Sequence, residues 1–456
     1  MSRNHKAPGL RPRYETVPML PGRNADIGSG ELIPAEGWSI SCLPVRIPAG
    51  SLLEPVKADP VYRLFAYGGE PDPELIYTYC YSKDGCWLPY EPEKSTEELQ
   101  GPWRVAETCY FRIAVKSAEG GVLADHLRVT AGSGSPGGPA ALSEETGDGG
   151  ANGWMNEELL QLQQRLQERS GPFGQRKELR LLLLADTHFA VGGIWEDTLE
   201  SLRLAREALE PEGIIHLGDL TDGMYPMVQT RWMARIVLDS LTSLGLPLWL
   251  CLGNHDENYF RGSTEVMDKK EAAAFYLGKK QPFYRVDLPA HRLRIFFLDS
   301  FQADRKERYG FSLREWLWFC RELLLVPRRT RILICSHVTP LVQFHVWSSR
   351  ILHSRMMRLA LRYLAAGRGR KVLGWIHGHS HADQVVDMED LCPVIGIGCG
   401  KLESFTEHKP EGSVTPERKR GTGTQELWDL LVIPDEGDSM ELYRYGAGDD
   451  RYLEDY

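Results

Sequence analysis

Residues 181–188 read Leu-Leu-Leu-Leu-Ala-Asp-Thr-His, an apolar run that stops at an aspartate and a histidine. A short continuous run of this kind, bounded by polar residues, reads as a strand buried on both faces. The pattern recurs along the chain. Gly213–Leu217 leads into Gly218-Asp219-Leu220-Thr221-Asp222-Gly223, and Pro247–Leu252 into Gly253-Asn254-His255-Asp256. Arg331–Cys335 leads into Ser336-His337, and Lys371–Ile376 into His377-Gly378-His379-Ser380-His381. Leu293–Leu298 and Pro393–Ile397 are two further strand-like runs. Between them, Thr198–Leu209 places Leu202, Ala205 and Leu209 on one helical face, and Trp232–Leu244 and Ser348–Ala366 are similarly amphipathic. Strands alternating with helices predict a largely parallel, helix-flanked α/β sheet. A hairpin is expected at the end, from Trp428–Ile433, the turn PDEGDS and Met440–Tyr445.

In such a sheet the carboxyl ends of neighbouring strands share one edge, where active sites form. Five strand ends then deliver Asp, His, Asp, Asn, His, His and His to one rim, enough for a polynuclear metal site. Each piece alone says little. A strand-end histidine is commonly structural, and Gly-Asn suits an ordinary turn. The order and the strand context of all five carry the inference.

These motifs, D-x-H, G-D-x-x-D, G-N-H-D, a lone strand-end His and G-H-x-H, resemble those of the calcineurin-like metallophosphoesterase superfamily. The resemblance covers about residues 178–400 and extends to the terminal hairpin, but not to the N-terminal region. It implies a layered α-β-β-α sandwich with mixed sheets. It also implies that Asp186, His188 and His381 hold one metal, that Asp219 bridges, and that Asn254, His337 and His379 complete a second site. The cofactors implied are two divalent transition-metal ions; donors of O and N without thiolate suit Mn, Fe, Zn or Co. The implied reaction is phosphodiester or phosphomonoester hydrolysis by a metal-bridging hydroxide. His255 assists the leaving group, and Asp222 is its expected carboxylate partner, with Asp256 as the alternative.

Two departures narrow the branch. Gly223 stands where the Ser/Thr protein phosphatase branch has an arginine that clamps phosphate, and Asp222 stands where the purple acid phosphatase branch has a tyrosine. What remains resembles the bacterial phosphodiesterase-like branch, with manganese as one expected metal. A DNA-repair-like metallonuclease is the alternative; a binding protein with an inactive phosphoesterase domain is the third reading. His216 and His377, inside strand-like runs, read as structural, as do His345 and His353 on or near a helix. The polar, basic stretch from Glu407 to Arg420 reads as solvated surface. No substrate-binding residue is assigned.

The flanking chain sets the domain plan. Residues 131–153, AGSGSPGGPAALSEETGDGGANG, read as a linker that cannot recover its ordering entropy by burial. Residues 1–130 read as a β-rich domain, sandwich-like, from the alternation Phe111, Ile113, Val115, the short runs Val61–Tyr67 and Leu75–Tyr81, and a hairpin turn at Glu119-Gly120-Gly121. Its aromatics Trp87, Tyr90 and Trp103 read as packing residues, and its ligand is unknown. Residues 154–456 form the phosphoesterase domain, entered by an amphipathic helix over Trp154–Arg169.

With 456 residues, 42% of them hydrophobic and 25% charged, the chain is neither a disordered polymer nor a fibre. A net charge of −10 gives no overall pull toward nucleic acid or anionic membranes, so the expected partner is a small or soluble phosphoester. Nine cysteines without a C-x-x-C pair read as reduced thiols. With no apolar leader in MSRNHKAPGLRPRYETVPML and no run approaching the ~20 residues of a membrane span, a cytoplasmic protein is expected.

Overall fold

The computed structural model describes residues 16–57, 61–69, 71, 82, 84–96, 98–99, 102–130, 153–170, 177–260, 265–302, 306–344, 349–389, 391–403 and 406–454. The expected strand Leu75–Tyr81, residues 131–152 of the expected linker, and His345 lie outside the described residues. The chain divides into two compact units.

Among the described residues the first unit is built on eight strands: β1 (Met19–Ala25), β2 (Leu32–Ser41), β3 (Val45–Ile47), β4 (Leu52–Pro55), β5 (Tyr62–Tyr67), β6 (Trp103–Arg104), β7 (Cys109–Val115) and β8 (Leu127–Thr130). One antiparallel sheet runs β1-β2-β7-β3 with β5 also on β7, and a small one runs β6-β4-β8. The alternation at 111–115 is therefore the strand that pairs three others. The expected hairpin after it does not form. Val122 bridges back to Pro18 instead, and β8 pairs with β4. The aromatics pack internally: Trp103 meets Phe111 edge-on at 5.5 Å, and the Tyr90 hydroxyl donates to the Ile27 carbonyl at 2.7 Å. This unit also takes in two pieces of distant sequence, Phe189–Gly193 and Tyr225–Ser240. Val191 NH donates to the Gly85 carbonyl, and Trp87 NH to the Val191 carbonyl, both at 2.8 Å.

The second unit contains α1 (Gly153–Ser170), β9 (Glu178–Leu184), α2 (Trp195–Leu209), β10 (Gly213–His216), the end of α3 (Met227–Ser243), β11 (Leu248–Leu250) and α4 (Lys269–Leu277). It continues with β12 (Tyr284–Leu288), β13 (Leu293–Leu298), α5 (Leu313–Leu324), β14 (Arg331–Ser336), α6 (Ser354–Ala360) and β15 (Val372–His377). It ends with β16 (Gln384–Asp387), β17 (Pro393–Gly396), β18 (Leu427–Pro434), β19 (Met440–Gly446) and β20 (Arg451–Leu453). Two six-stranded sheets result, β11-β10-β9-β18-β19-β20 and β12-β13-β14-β15-β17-β16.

Parallel pairing holds for β11-β10-β9 and for β13-β14-β15-β17, while β12, β16 and β18–β20 join antiparallel. The expectation of a largely parallel sheet is thus corrected to two mixed sheets, as the α-β-β-α resemblance implies. Alternation along each strand explains the layering. Leu179, Leu181 and Leu183 meet Leu293, Ile295 and Phe297 in a core that draws on both sheets. Phe296 and Leu298 point the other way, into a second core with Phe319 and Leu323 of α5 and Met357 and Ala360 of α6. Helix α5 starts on a capping box: Ser312 Oγ accepts from Glu315 NH at 3.1 Å while the Glu315 carboxylate accepts from Ser312 NH. Among the described residues, no helix is long and apolar enough to cross a membrane.

Candidate metal centre

All the sequence-selected site residues lie in the second unit, in the loops leaving β9, β10, β11, β14 and β15. Backbone hydrogen bonds bring the first two loops together: Asp186 NH donates to the Gly218 carbonyl at 3.0 Å, and His188 NH to the Asp219 carbonyl at 3.1 Å. His379 NH donates to the Asp186 carboxylate at 3.0 Å, and His255 NH to Asp219 Oδ1 at 2.8 Å. Of the twelve described non-glycine residues with positive φ, five are Asp186, His188, Asp219, His379 and His381. Strain of this kind survives only where the surroundings over-determine it, and it collects at functional sites.

The side chains form two groups. Single donor atoms of Asp186, His188 and His381 lie within 4.8 Å of one another, and so do those of Asp219, His337 and His379. In the first, His381 Nε2 is 3.3 Å from Asp186 Oδ1 and 3.2 Å from His188 Nε2. In the second, His337 Nε2 is 3.0 Å from both Asp219 Oδ2 and Asn254 Oδ1. Asp219 stands between them, its Oδ2 also 3.9 Å from His188 Nε2.

Three of the imidazoles meet an oxygen on their far side. His337 Nδ1 donates to the Leu217 carbonyl at 2.9 Å, and His188 Nδ1 lies 3.1 Å from Asp222 Oδ1. His381 Nδ1 lies 3.1 Å from Glu403 Oε1, and Glu403 is itself bound by Lys409 Nζ at 2.8 Å. Asp222, expected opposite His255, has its Oδ1 beside His188, and its negative charge also acts on His255. Asp256 braces the loops, accepting from the backbone NH groups of Gly253, Asp219 and Leu220 at 2.8–3.0 Å.

Burial works against charge at every one of these groups, and the outcome depends on the neighbours. For Asp186, burial is outweighed by His381 and His337, so its carboxyl sits below the usual range. Asp219 falls well below it, held there by His337 and His255. His337 is buried too, yet Asp219 and Asp186 push it up to about 9. His381 rises well above the ordinary value under the pull of Glu403. The negative field that loads these imidazoles with protons is the field a divalent cation would meet. His255 differs: burial prevails over Asp219 and lowers it. Its ring lies 5.3 Å from that of His188 and stacks at 6.1 Å on Phe260.

Two glycines are dictated by the close approach of these loops. Gly223 has φ +58°, and a Cβ there would lie 2.0 Å from the His255 carbonyl oxygen. No side chain fits, so the arginine of the protein phosphatase branch has no counterpart at this position. A Cβ on Gly253 would meet Asp219 Oδ1 at 2.0 Å.

The other histidines are placed outside the two groups. His216 and His377 are pushed down to about 4 by burial, and Gly218 NH donates to His216 Nδ1 at 3.1 Å. His353 Nδ1 donates to the Phe311 carbonyl at 2.7 Å. The Glu407–Arg420 stretch is more than solvated surface, because Lys409 also donates to the His381 carbonyl at 3.2 Å and Arg418 is buried among the carbonyls of Cys399, Lys401 and Gln425. Glu403 and Tyr309, whose ring lies 5.3 Å from His379, were not found from sequence. Neither stands directly at the end of an apolar strand, and spacing alone does not flag them. The eight described cysteines are free thiols.

Residues 179–383 match the family model described as calcineurin-like phosphoesterase. Among solved structures, a dimetal phosphatase from Danio rerio is similar at 16% identity, covering 60% of this chain and 98% of its own, with a TM-score of 0.46. A purple acid phosphatase from yellow lupin (Lupinus luteus) seeds is similar at 12% identity, covering 91% of this chain and 75% of its own, with a TM-score of 0.44. No curated protein matches the chain.

Proposed function

We propose that the region 154–456 is a two-metal phosphoesterase that hydrolyses phosphodiester or phosphomonoester bonds of small or soluble substrates in the cytoplasm. The observation that carries this reading is the common aim of three imidazoles. Nδ1 of His188, His337 and His381 each face an oxygen acceptor, which leaves all three Nε2 atoms turned toward the carboxylates Asp186 and Asp219. A histidine that gives its Nδ1 hydrogen to such a partner is fixed in the metal-ligating tautomer.

The donor chemistry fits two divalent ions of the Mn, Fe, Zn or Co type. Asp186, His188 and His381 would hold one, and Asn254, His337 and His379 the other, with Asp219 serving both. Bound there, the pair would make a water acidic enough to attack near neutral pH and would neutralise the phosphoryl oxygens. The chain supplies the rest. Asp222, Leu217 and Glu403 orient the imidazoles, and Asp256 fixes the Asn254–His255 turn through three backbone NH groups. His255, kept neutral by burial, still carries one N–H to offer to a phosphoryl or leaving-group oxygen.

The test is Mn-loaded full-length chain against paired monoester and diester panels, including cyclic nucleotides, nucleotide sugars and single-stranded DNA. Hydrolysis is expected in proportion to bound metal, up to about two equivalents per chain. Two bound equivalents with no cleavage of any ester would refute the reading, and cleavage confined to DNA would move it to a nuclease.

A further inference from the structure

The second sheet carries a surface that the hydrolytic site does not use. Fourteen large hydrophobic side chains are exposed among the described residues, and six of them lie on α5, on α6 and just beyond them. Leu313, Leu317 and Leu324 fall within about 40° of one another around α5, and Leu325 follows. Their exposures are 50%, 57%, 44% and 55%. Leu359 of α6 and Tyr363 in the turn after it are also exposed. Both helices pack their opposite faces, through Phe319, Leu323, Met357 and Ala360, onto the same core over β13 and β14. Trp316 Nε1 donates to the Met356 carbonyl at 3.1 Å, so the helices lie side by side and their free faces form one outer surface.

That surface is strongly basic in a chain whose net charge is −10. Residues 313–331 and 349–371 together hold twelve Lys or Arg and two Asp or Glu; of the twelve, Arg331 is buried on backbone carbonyls, and Arg358 and Arg362 pair with Glu389. Both acids, Glu315 and Glu322, are buried, Glu315 against Asp299 NH and Glu322 against Arg285. Arg314, Arg321, Arg328, Arg329, Arg355 and Arg368 are exposed.

We propose that this face docks the chain onto an anionic phospholipid surface, with the leucines entering the headgroup boundary and the arginines meeting lipid phosphate. Exposed leucine, an aromatic at the edge and surrounding arginine are what an interfacial helix presents to such a bilayer. A second copy of the chain docking by two-fold symmetry would set these arginines against themselves. A nucleic acid would use the arginines and leave the leucines in water. The geometry leaves the site free. The basic turns precede β14 and β15, whereas His337 and His379 follow them, about 20 Å further along the strands.

The experiment is co-sedimentation of the full-length chain with vesicles of phosphatidylcholine alone and with phosphatidylserine mixed in, at low and high salt. Partition onto the mixed vesicles only, reversed by salt, is expected. R328Q/R329Q should weaken it about thirtyfold. L317S/L324S, which keeps the charge, should weaken it about tenfold. Both pairs are exposed, so near-ultraviolet circular dichroism and bound metal should not change. Absence of partition, or equal partition onto both vesicle types, overturns the proposal. Loss in the arginine pair alone would mean a polyanion partner, and a parent dimer split by L317S/L324S would mean a second copy.

Discussion

Strands β14 and β15 end in opposite chemistries. At their carboxyl ends His337 and His379 are drawn into a largely buried cluster of imidazoles and carboxylates, several of them on left-handed backbone. At their amino ends the turns at 327–330 and 366–371 put arginines into water beside exposed leucines. The contrast teaches where positional information is stored. At the rim each group is fixed by two or three others, so a single change propagates. At the other end each side chain acts additively through a field, so single changes are small and salt-sensitive.

The rim should break first and furthest at Asp219. Its carboxylate faces both histidine groups and also accepts from His255 NH. Asp219→Asn keeps the shape but removes the charge. Ester hydrolysis is expected to fall about a thousandfold, with metal lost, as read by elemental analysis beside the rate. Full activity with two bound equivalents would show that Asp219 is not shared.

Glu403 should follow. It meets the cluster at His381 Nδ1 and is itself paired with Lys409 and Lys401. Glu403→Ala is expected to weaken metal binding about 10–100-fold, and Glu403→Gln, which keeps an acceptor oxygen, to restore part of it. A fall in melting temperature with unchanged metal affinity would reduce Glu403 to a packing residue.

Gly223 tests the close approach of the loops rather than the charge. Gly223→Ala must place a Cβ on the His255 carbonyl in a backbone region that alanine resists. A loss of at least about 1–3 kcal/mol in denaturant unfolding is expected. An alanine variant of parental stability would mean that the loops can separate freely.

The rim was the legible end. Each site loop follows an unbroken apolar run, so the strand and the polar side chains that gather at its end were read together. Strands such as β12 and β16, half exposed and short, gave no such run. In the first unit β2 contains proline and glycine, and β1 carries an irregularity between Pro21 and Arg23, which hid both. Glu403 lies 22 residues past His381 in no motif at all, so only folding brings it to its partner. Asp222 shows a related limit: motif membership gives proximity to a site without saying how a carboxylate divides itself among its neighbours, and its Oδ1 lies 3.1 Å from His188 Nδ1 while its charge also acts on His255. The basic face was hidden by the overall charge, since an average over 456 residues erases a local excess.

The smallest effect belongs to an ordinary ion pair at the amino end of the same sheet. His291 follows β12 and precedes β13, its Nδ1 2.6 Å from Asp435 Oδ1 and its Nε2 3.1 Å from Glu212. Burial works against its charge, but these two carboxylates prevail and raise its pKa above the ordinary 6.5. The folded protein therefore holds this proton more tightly than the unfolded chain. The added stability is fully present below about pH 6.5 and is lost as the pH climbs through the raised value. A partly exposed pair of this kind is worth under about 1 kcal/mol. His291→Gln should remove that increment in mildly acidic buffer and change little in mildly alkaline buffer, measured by urea unfolding at both. An equal loss at both pH values would assign His291 to packing, since charge is the only part of its interaction that a proton can switch.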